Sequence, residues 1–157
     1  MNDSTAIVEL RGVTKVYRQG VVDVHALRGL DLRVDKGDFA ALCGPSGSGK
    51  TTALNLMGAL DRPTSGTVCL EGQELGALNG RALARLRRDR IGFVFQAYNL
   101  IPVLSAYENA EAVLALQGVD AAERRQRVMA LLKDVGLEGL EHRRPNQMSG
   151  GQQQRVA

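Results

Sequence analysis

Gly44-Pro45-Ser46-Gly47-Ser48-Gly49-Lys50-Thr51 satisfies the pattern Gly-x4-Gly-Lys-Ser/Thr without a mismatch. The chemistry of such a loop is phosphate binding. Its glycines let successive backbone N–H groups converge on an anion, and a helix opening behind it adds partial positive charge. Lys50 is suited to the β- and γ-phosphates of a nucleotide, the Thr51 hydroxyl to Mg²⁺, and Thr52 extends the phosphate-binding run. A Gly/Ser-rich surface turn that happens to contain a lysine is the alternative. The flanks argue against it. Phe39-Ala40-Ala41-Leu42-Cys43 ahead is a short apolar run that reads as a buried strand, and Thr52-Ala53-Leu54-Asn55-Leu56-Met57 behind reads as the first turns of a helix. Strand, loop and helix are the context the motif requires.

Three further groups could take part. Met148-Ser149-Gly150-Gly151-Gln152 places a serine three residues ahead of a glutamine, a capping-box spacing, with two glycines that leave backbone N–H groups unshielded. Alone this is an ordinary capped turn. Phe93-Val94-Phe95-Gln96 reads as an apolar strand ending in glutamine, and alone Gln96 is a surface residue. Tyr17, in Val13-Thr14-Lys15-Val16-Tyr17, is either a half-buried strand tyrosine or a ring on which a base can stack.

Taken together, these motifs resemble the ATP-binding domain of ABC transporters. Residues 148–152 are similar to the family signature Leu-Ser-Gly-Gly-Gln, and Ser149 follows Lys50 by 149 − 50 = 99 residues, a typical separation for that family. The resemblance implies an α/β P-loop fold with an antiparallel β layer and a helical subdomain. It implies ATP and Mg²⁺ as ligands, with Tyr17 stacking on adenine, residues 44–52 on the phosphates, and Thr51 and Gln96 serving Mg²⁺. Gln96 would also meet the attacking water. Ser149, Gly150, Gly151 and Gln152 would complete the nucleotide site of a second subunit, in a head-to-tail dimer with two equivalent sites. An integral membrane permease is the other implied partner, which puts the protein in the cytoplasm on the inner face of the membrane. Within the family the chain looks most like the lipoprotein-release, macrolide-export and cell-division ATPases. The pointers are Tyr17-Arg18-Gln19-Gly20, the run Asn55-Leu56-Met57-Gly58-Ala59-Leu60-Asp61-Arg62-Pro63 and the triple glutamine at 152–154. Export or lipoprotein release is the implied role; ATP-dependent regulation of a membrane complex, as in the cell-division branch, is the alternative.

The elements that must position these residues follow from pattern. Residues 7–17 and 30–34 read as strands of the antiparallel layer, residues 61–66 as a turn, and 67–70 as a short strand. Residues 81–88 read as a helix. Ser105-Ala106-Tyr107-Glu108 is a capping box opening a helix to about Leu116, and Asp120 opens another that Gly136 stops. The resulting division is an ATP-binding core over 1–102 and a helical subdomain over 103–157. The family also needs, one helix past the signature, an apolar strand ending in Asp-Glu, and further on a switch histidine. The sequence stops at Ala157, within the signature helix, so it reads as an ATPase domain incomplete at the C-terminus, lacking Walker B, the D-loop and that histidine. Asp61 and Asp134 do not substitute.

Composition excludes several other classes. With 157 residues, 44% hydrophobic and 24% charged, the chain is that of an ordinary globular domain with a core. No apolar stretch is long enough to span a bilayer, and Met1-Asn2-Asp3-Ser4-Thr5 does not open a signal peptide. The two cysteines make no disulfide framework, and Cys43 and Cys69 read as small buried residues. Net charge is only +3. The arginines at 81, 85, 87, 88 and 90 alternate as on a solvated helix face without interleaved aromatics, which argues against nucleic acid as a partner.

Overall fold

The computed structural model describes residues 6–157; the leader reading at residues 1–5 lies outside them. The chain forms two compact units that divide between Arg87 and Arg88.

In the first unit, β1 (Ala6–Gln19) and β2 (Val22–Asp35) form a long antiparallel hairpin. Gly20 turns it at a φ of 63°, a conformation that a residue with a side chain resists. β3 (Ser65–Leu70) pairs with the other edge of β1, and β4 (Gln73–Glu74) follows, giving the order β2-β1-β3-β4. Alternation along β3 turns Val68 and Leu70 inward, where they are buried along with Leu10 and Val13 of β1. α1 (Lys50–Met57) adds Ala53 and Leu56, three residues apart on one helical face, to the buried set. The strands at 7–17 and 30–34 expected from pattern are therefore present but longer. Register shifts on either side of Gly12 lengthen the pairing past the point where alternation breaks.

In the second unit, α3 (Ala106–Leu116) and α4 (Ala121–Asp134) pack around Val128, Leu132 and Leu137, with Tyr107, Leu114 and Val156 against them. Both helices start where the sequence places a cap. Ser105 and Glu108 exchange both bonds of a capping box, while the Asp120 carboxylate accepts from the N–H groups of Ala122 and Glu123. α5 (Gly150–Val156) closes the unit, and α2 (Gly80–Arg90) runs across the division, with Leu83 buried.

Two expectations fail. Residues 39–43 and 92–95 form no strand; Phe39 is fully exposed and Val94 is 80% exposed. An apolar run of this kind is held as a strand only when a neighbouring strand hydrogen-bonds it, and among the described residues none does so. For the same reason Cys43, expected to be buried, is exposed; Cys69, on β3, is half-buried.

Candidate functional site

Residues 44–48 form an exposed loop that leads through the half-buried Gly49 into α1. Gly49 sits at the helix N-cap position with a φ of 89° and supplies no side-chain cap, and the first turn of α1 contains no acidic residue. The N–H groups that open α1 are thus left for an external acceptor. Gly49 also lies close to β2. A Cβ there would stand 2.5 Å from the carbonyl oxygen of Ala26 and 2.8 Å from Leu27 Cδ2. Only glycine combines that backbone conformation with that approach.

Lys50 turns its ammonium back into the loop. Nζ donates to the carbonyl oxygens of Gly44 at 2.8 Å and Pro45 at 2.7 Å, and reaches Ser48 Oγ at 3.4 Å. A cation is therefore already held at the centre of the loop by neutral acceptors, which phosphate oxygens can replace with stronger charge-assisted bonds. Thr51 is exposed in the first turn beside it. A cleft of about 280 Å³ lies over these residues, walled by Ser46–Thr52 on one side and by Val24, His25 and Ala26 of β2 on the other.

These features fit a nucleotide triphosphate: an uncapped helix N-terminus, a glycine where any side chain would strike a strand, and a lysine already inside the loop. Mg²⁺ fits the donor chemistry of the Thr51 hydroxyl, a hard oxygen ligand.

Tyr17 belongs to the same unit, near the far end of β1, and is half-buried. Its hydroxyl donates to Asp61 Oδ2 at 2.7 Å, and Lys15 Nζ lies 4.7 Å from the ring centroid. Burial, reinforced by the Asp61 carboxylate, pushes the Tyr17 phenol above its usual pKa, against an opposing hydrogen bond with Thr52.

Gln96 and the serine-glycine group lie in the second unit. Gln96 is exposed in an irregular segment. Ser149 caps α5 as its spacing predicts: its hydroxyl accepts from Gln152 N–H at 3.3 Å and its N–H donates to Gln152 Oε1 at 2.8 Å. Ser149, Gly150 and Gly151 are exposed. A Cβ at Gly150 would come within 2.8 Å of the Tyr98 hydroxyl, so the loop after Gln96 reaches the start of α5. Loss of this cap has a modest expected cost. Ser149→Ala should destabilise the second unit by about 0.5–2 kcal/mol, read as a lower urea midpoint, with Ser149→Asn close to the original.

Sequence reasoning missed Asp61, Lys15 and the β2 wall. Lys15 and Tyr17 share a strand face by their spacing of two, a signal that was available; the part played by Asp61, 44 residues beyond Tyr17, was not.

The family model for "ABC transporter" matches residues 27–157. An ABC transporter ATP-binding protein of Thermotoga maritima is 52% identical over 96% of this chain and 64% of its own length. The macrolide export ATP-binding/permease protein MacB of Azoarcus sp. is 46% identical over 98% of this chain and 23% of its own length. The pyoverdine export ATP-binding/permease protein PvdT of Pseudomonas syringae pv. tomato is 49% identical over 98% of this chain and 24% of its own length. A dimeric structure of the ATP-binding cassette MJ0796, in a post-hydrolysis state bound to ADP and Pi, superposes with a TM-score of 0.88. It is 45% identical and is matched over 95% of this chain and 66% of that one. The chain thus spans about two thirds of the shorter relatives and about a quarter of the fused exporters.

Proposed function

This chain belongs to the ABC transporter family as an ATP-binding domain, and on that premise we propose that it couples ATP binding and hydrolysis to export or lipoprotein release through an integral membrane permease. The observation that carries this reading is the loop at 44–52, with Lys50 Nζ held among its carbonyls and the N-terminus of α1 left uncapped. That is a binding site for the phosphates of ATP. Bound Mg²⁺ would supply charge neutralisation across the β- and γ-phosphates. Lys50 and the loop N–H groups bind and orient those phosphates, Thr51 offers its hydroxyl to the metal, and Tyr17 carries the base. Gln96 serves the Mg²⁺ and water side of the site and the contact with the permease. The nucleotide-binding core spans 1–102, and residues 103–157 present the signature.

Ser149, Gly150, Gly151 and Gln152 complete the site of a second ATPase subunit head to tail. The exposure of Ser149, Gly150 and Gly151 at the start of α5 supports that role, as does the dimeric state of the MJ0796 cassette. The exporters MacB and PvdT, each named an ATP-binding/permease protein, support a membrane partner and a place on the cytoplasmic face.

The test is phosphate release by the complete protein carrying this sequence, in proteoliposomes with and without its permease. Release that depends on Mg²⁺ and rises with the permease is expected. The same slow rate in both preparations would remove the coupling from the proposal.

Base stacking gives a separate expectation. Tyr17→Ala should lower ATP affinity by about 1–3 kcal/mol, the usual contribution of an aromatic platform under a base, measured by calorimetric titration. Tyr17→Trp should retain most of it. An equal loss in both would indicate that the phenol, rather than a ring face, is what ATP binding needs.

A further inference from the structure

The network behind Tyr17 is more elaborate than a strand tyrosine requires. Asp61 follows α1 at the end of a tight wrap, in which the N–H groups of Leu60 and Asp61 both donate to the carbonyl of Asn55 and Ala59 takes a φ of 55°. Its carboxylate accepts from Tyr17 Oη at 2.7 Å, Lys15 Nζ at 2.7 Å and the N–H of Arg62 at 2.7 Å. Lys15 Nζ in turn donates to the Arg62 carbonyl at 2.7 Å while it sits over the tyrosine ring. The Lys15 side chain is only 12% exposed and that of Asp61 28%, so the pair is better shielded than a surface ion pair and holds its geometry more firmly. Burial opposes ionisation of Asp61, yet the bonds from Lys15, Tyr17 and Arg62 outweigh it and keep the carboxyl below its usual pKa.

We propose that Lys15 and Asp61 are positioning residues for nucleotide base recognition, holding the Tyr17 ring at a fixed place relative to the phosphate loop. Two contacts specify the ring: its hydroxyl is tied to Asp61, and the Lys15 ammonium lies over it. Asp61 is bonded back to Asn55 just past the C-terminal end of α1, the helix whose N-terminus faces the loop. The distance between base platform and phosphate site is therefore set by one rigid helix and not by the flexibility of β1. Two sites held at the span of their ligand bind it with less loss of freedom than two that must be brought together. An ammonium beside the ring also draws π-electron density toward itself, which favours stacking with an electron-rich purine on the ring surface left to solvent.

The inference rests on the reading of Tyr17 as the base platform, and the experiment separates the two. Binding of ATP and of inorganic tripolyphosphate is measured on the complete protein for Tyr17→Ala, Asp61→Ala, Lys15→Met and the Tyr17→Ala/Asp61→Ala double variant. Tyr17→Ala should weaken ATP about tenfold to a hundredfold and leave tripolyphosphate unchanged. Asp61→Ala and Lys15→Met should each weaken ATP about threefold or more, within the coupling range of one hydrogen-bonded network, again without touching tripolyphosphate. In the Tyr17→Ala background Asp61→Ala should cost nothing further. Should Asp61→Ala fail to fold, Asp61→Asn keeps an acceptor in place and should give a smaller loss of the same selective kind. A loss in Tyr17→Ala with none in the Asp61 and Lys15 variants would overturn the positioning role alone. Equal losses of ATP and tripolyphosphate in Asp61→Ala, or additive losses in the double variant, would overturn it too. Unchanged ATP binding in Tyr17→Ala would overturn the stacking reading and the inference with it.

Discussion

Lys50→Ala should weaken ATP binding by about ten- to a hundredfold or more, since each charge-assisted contact to a phosphate contributes roughly 1.5–3 kcal/mol. The side chain leaves the first turn of α1 and returns to the carbonyls of Gly44 and Pro45. Two things are lost together in the variant. The loop loses the cation that gathers its carbonyls, and the phosphates lose the cation in its interior. Both losses fall on the phosphate chain, which the two ligands share, so tripolyphosphate and ATP should weaken by the same factor. Calorimetric titration of both ligands checks this. A dissociation constant equal to that of the original protein would leave the loop without a role in phosphate binding.

Gly49→Ala should lower stability by about 2–5 kcal/mol, the sum of a left-handed backbone penalty and an overpacked contact. The added Cβ would meet Ala26 O at 2.5 Å and Leu27 Cδ2 at 2.8 Å. Neither neighbour yields cheaply. Ala26 lies in β2 between positions that pair with β1, and Leu27 is buried. Relief must come from the loop or from α1, which displaces the N–H groups at the start of that helix, the proposed phosphate donors. ATP affinity should therefore fall along with the urea midpoint. Gly47→Ala is the matched control, because Gly47 has a φ of 80° but open space around its Cα. It should cost only the backbone penalty, about 1–2 kcal/mol. Equal midpoints for the two variants would mean that the approach of Gly49 to β2 contributes nothing.

The loop leading into α1, α1 itself and the caps at Ser105, Asp120 and Ser149 were legible because each depends on residues within one turn of chain. Capping-box spacing names both partners of the bond, and both bonds at Ser105 and Ser149 are present. The β layer was legible in kind but not in extent. Alternation marks Leu10 and Val68 as inward-facing, whereas the irregular register around Gly12 carries β1 on to Gln19. Residues 39–43 and 92–95 misled for a physical reason. An apolar run states that burial is favourable, and its partners decide whether burial happens. Cys43 was misread along with its run. The setting of Tyr17 was the least legible, because its partner Asp61 lies 44 residues on, beyond α1, and only the fold brings it to β1.

The central claim is that residues 44–52 hold the phosphates of ATP at the start of α1. Amide hydrogen exchange of the complete protein, with and without Mg²⁺ and a non-hydrolysable ATP analogue, tests it at residue scale. Protection should appear in the peptide covering residues 44–53, more weakly around Tyr17, and not in α4. Binding of the analogue with exchange at 44–53 unchanged would contradict the claim and place the nucleotide elsewhere on the protein.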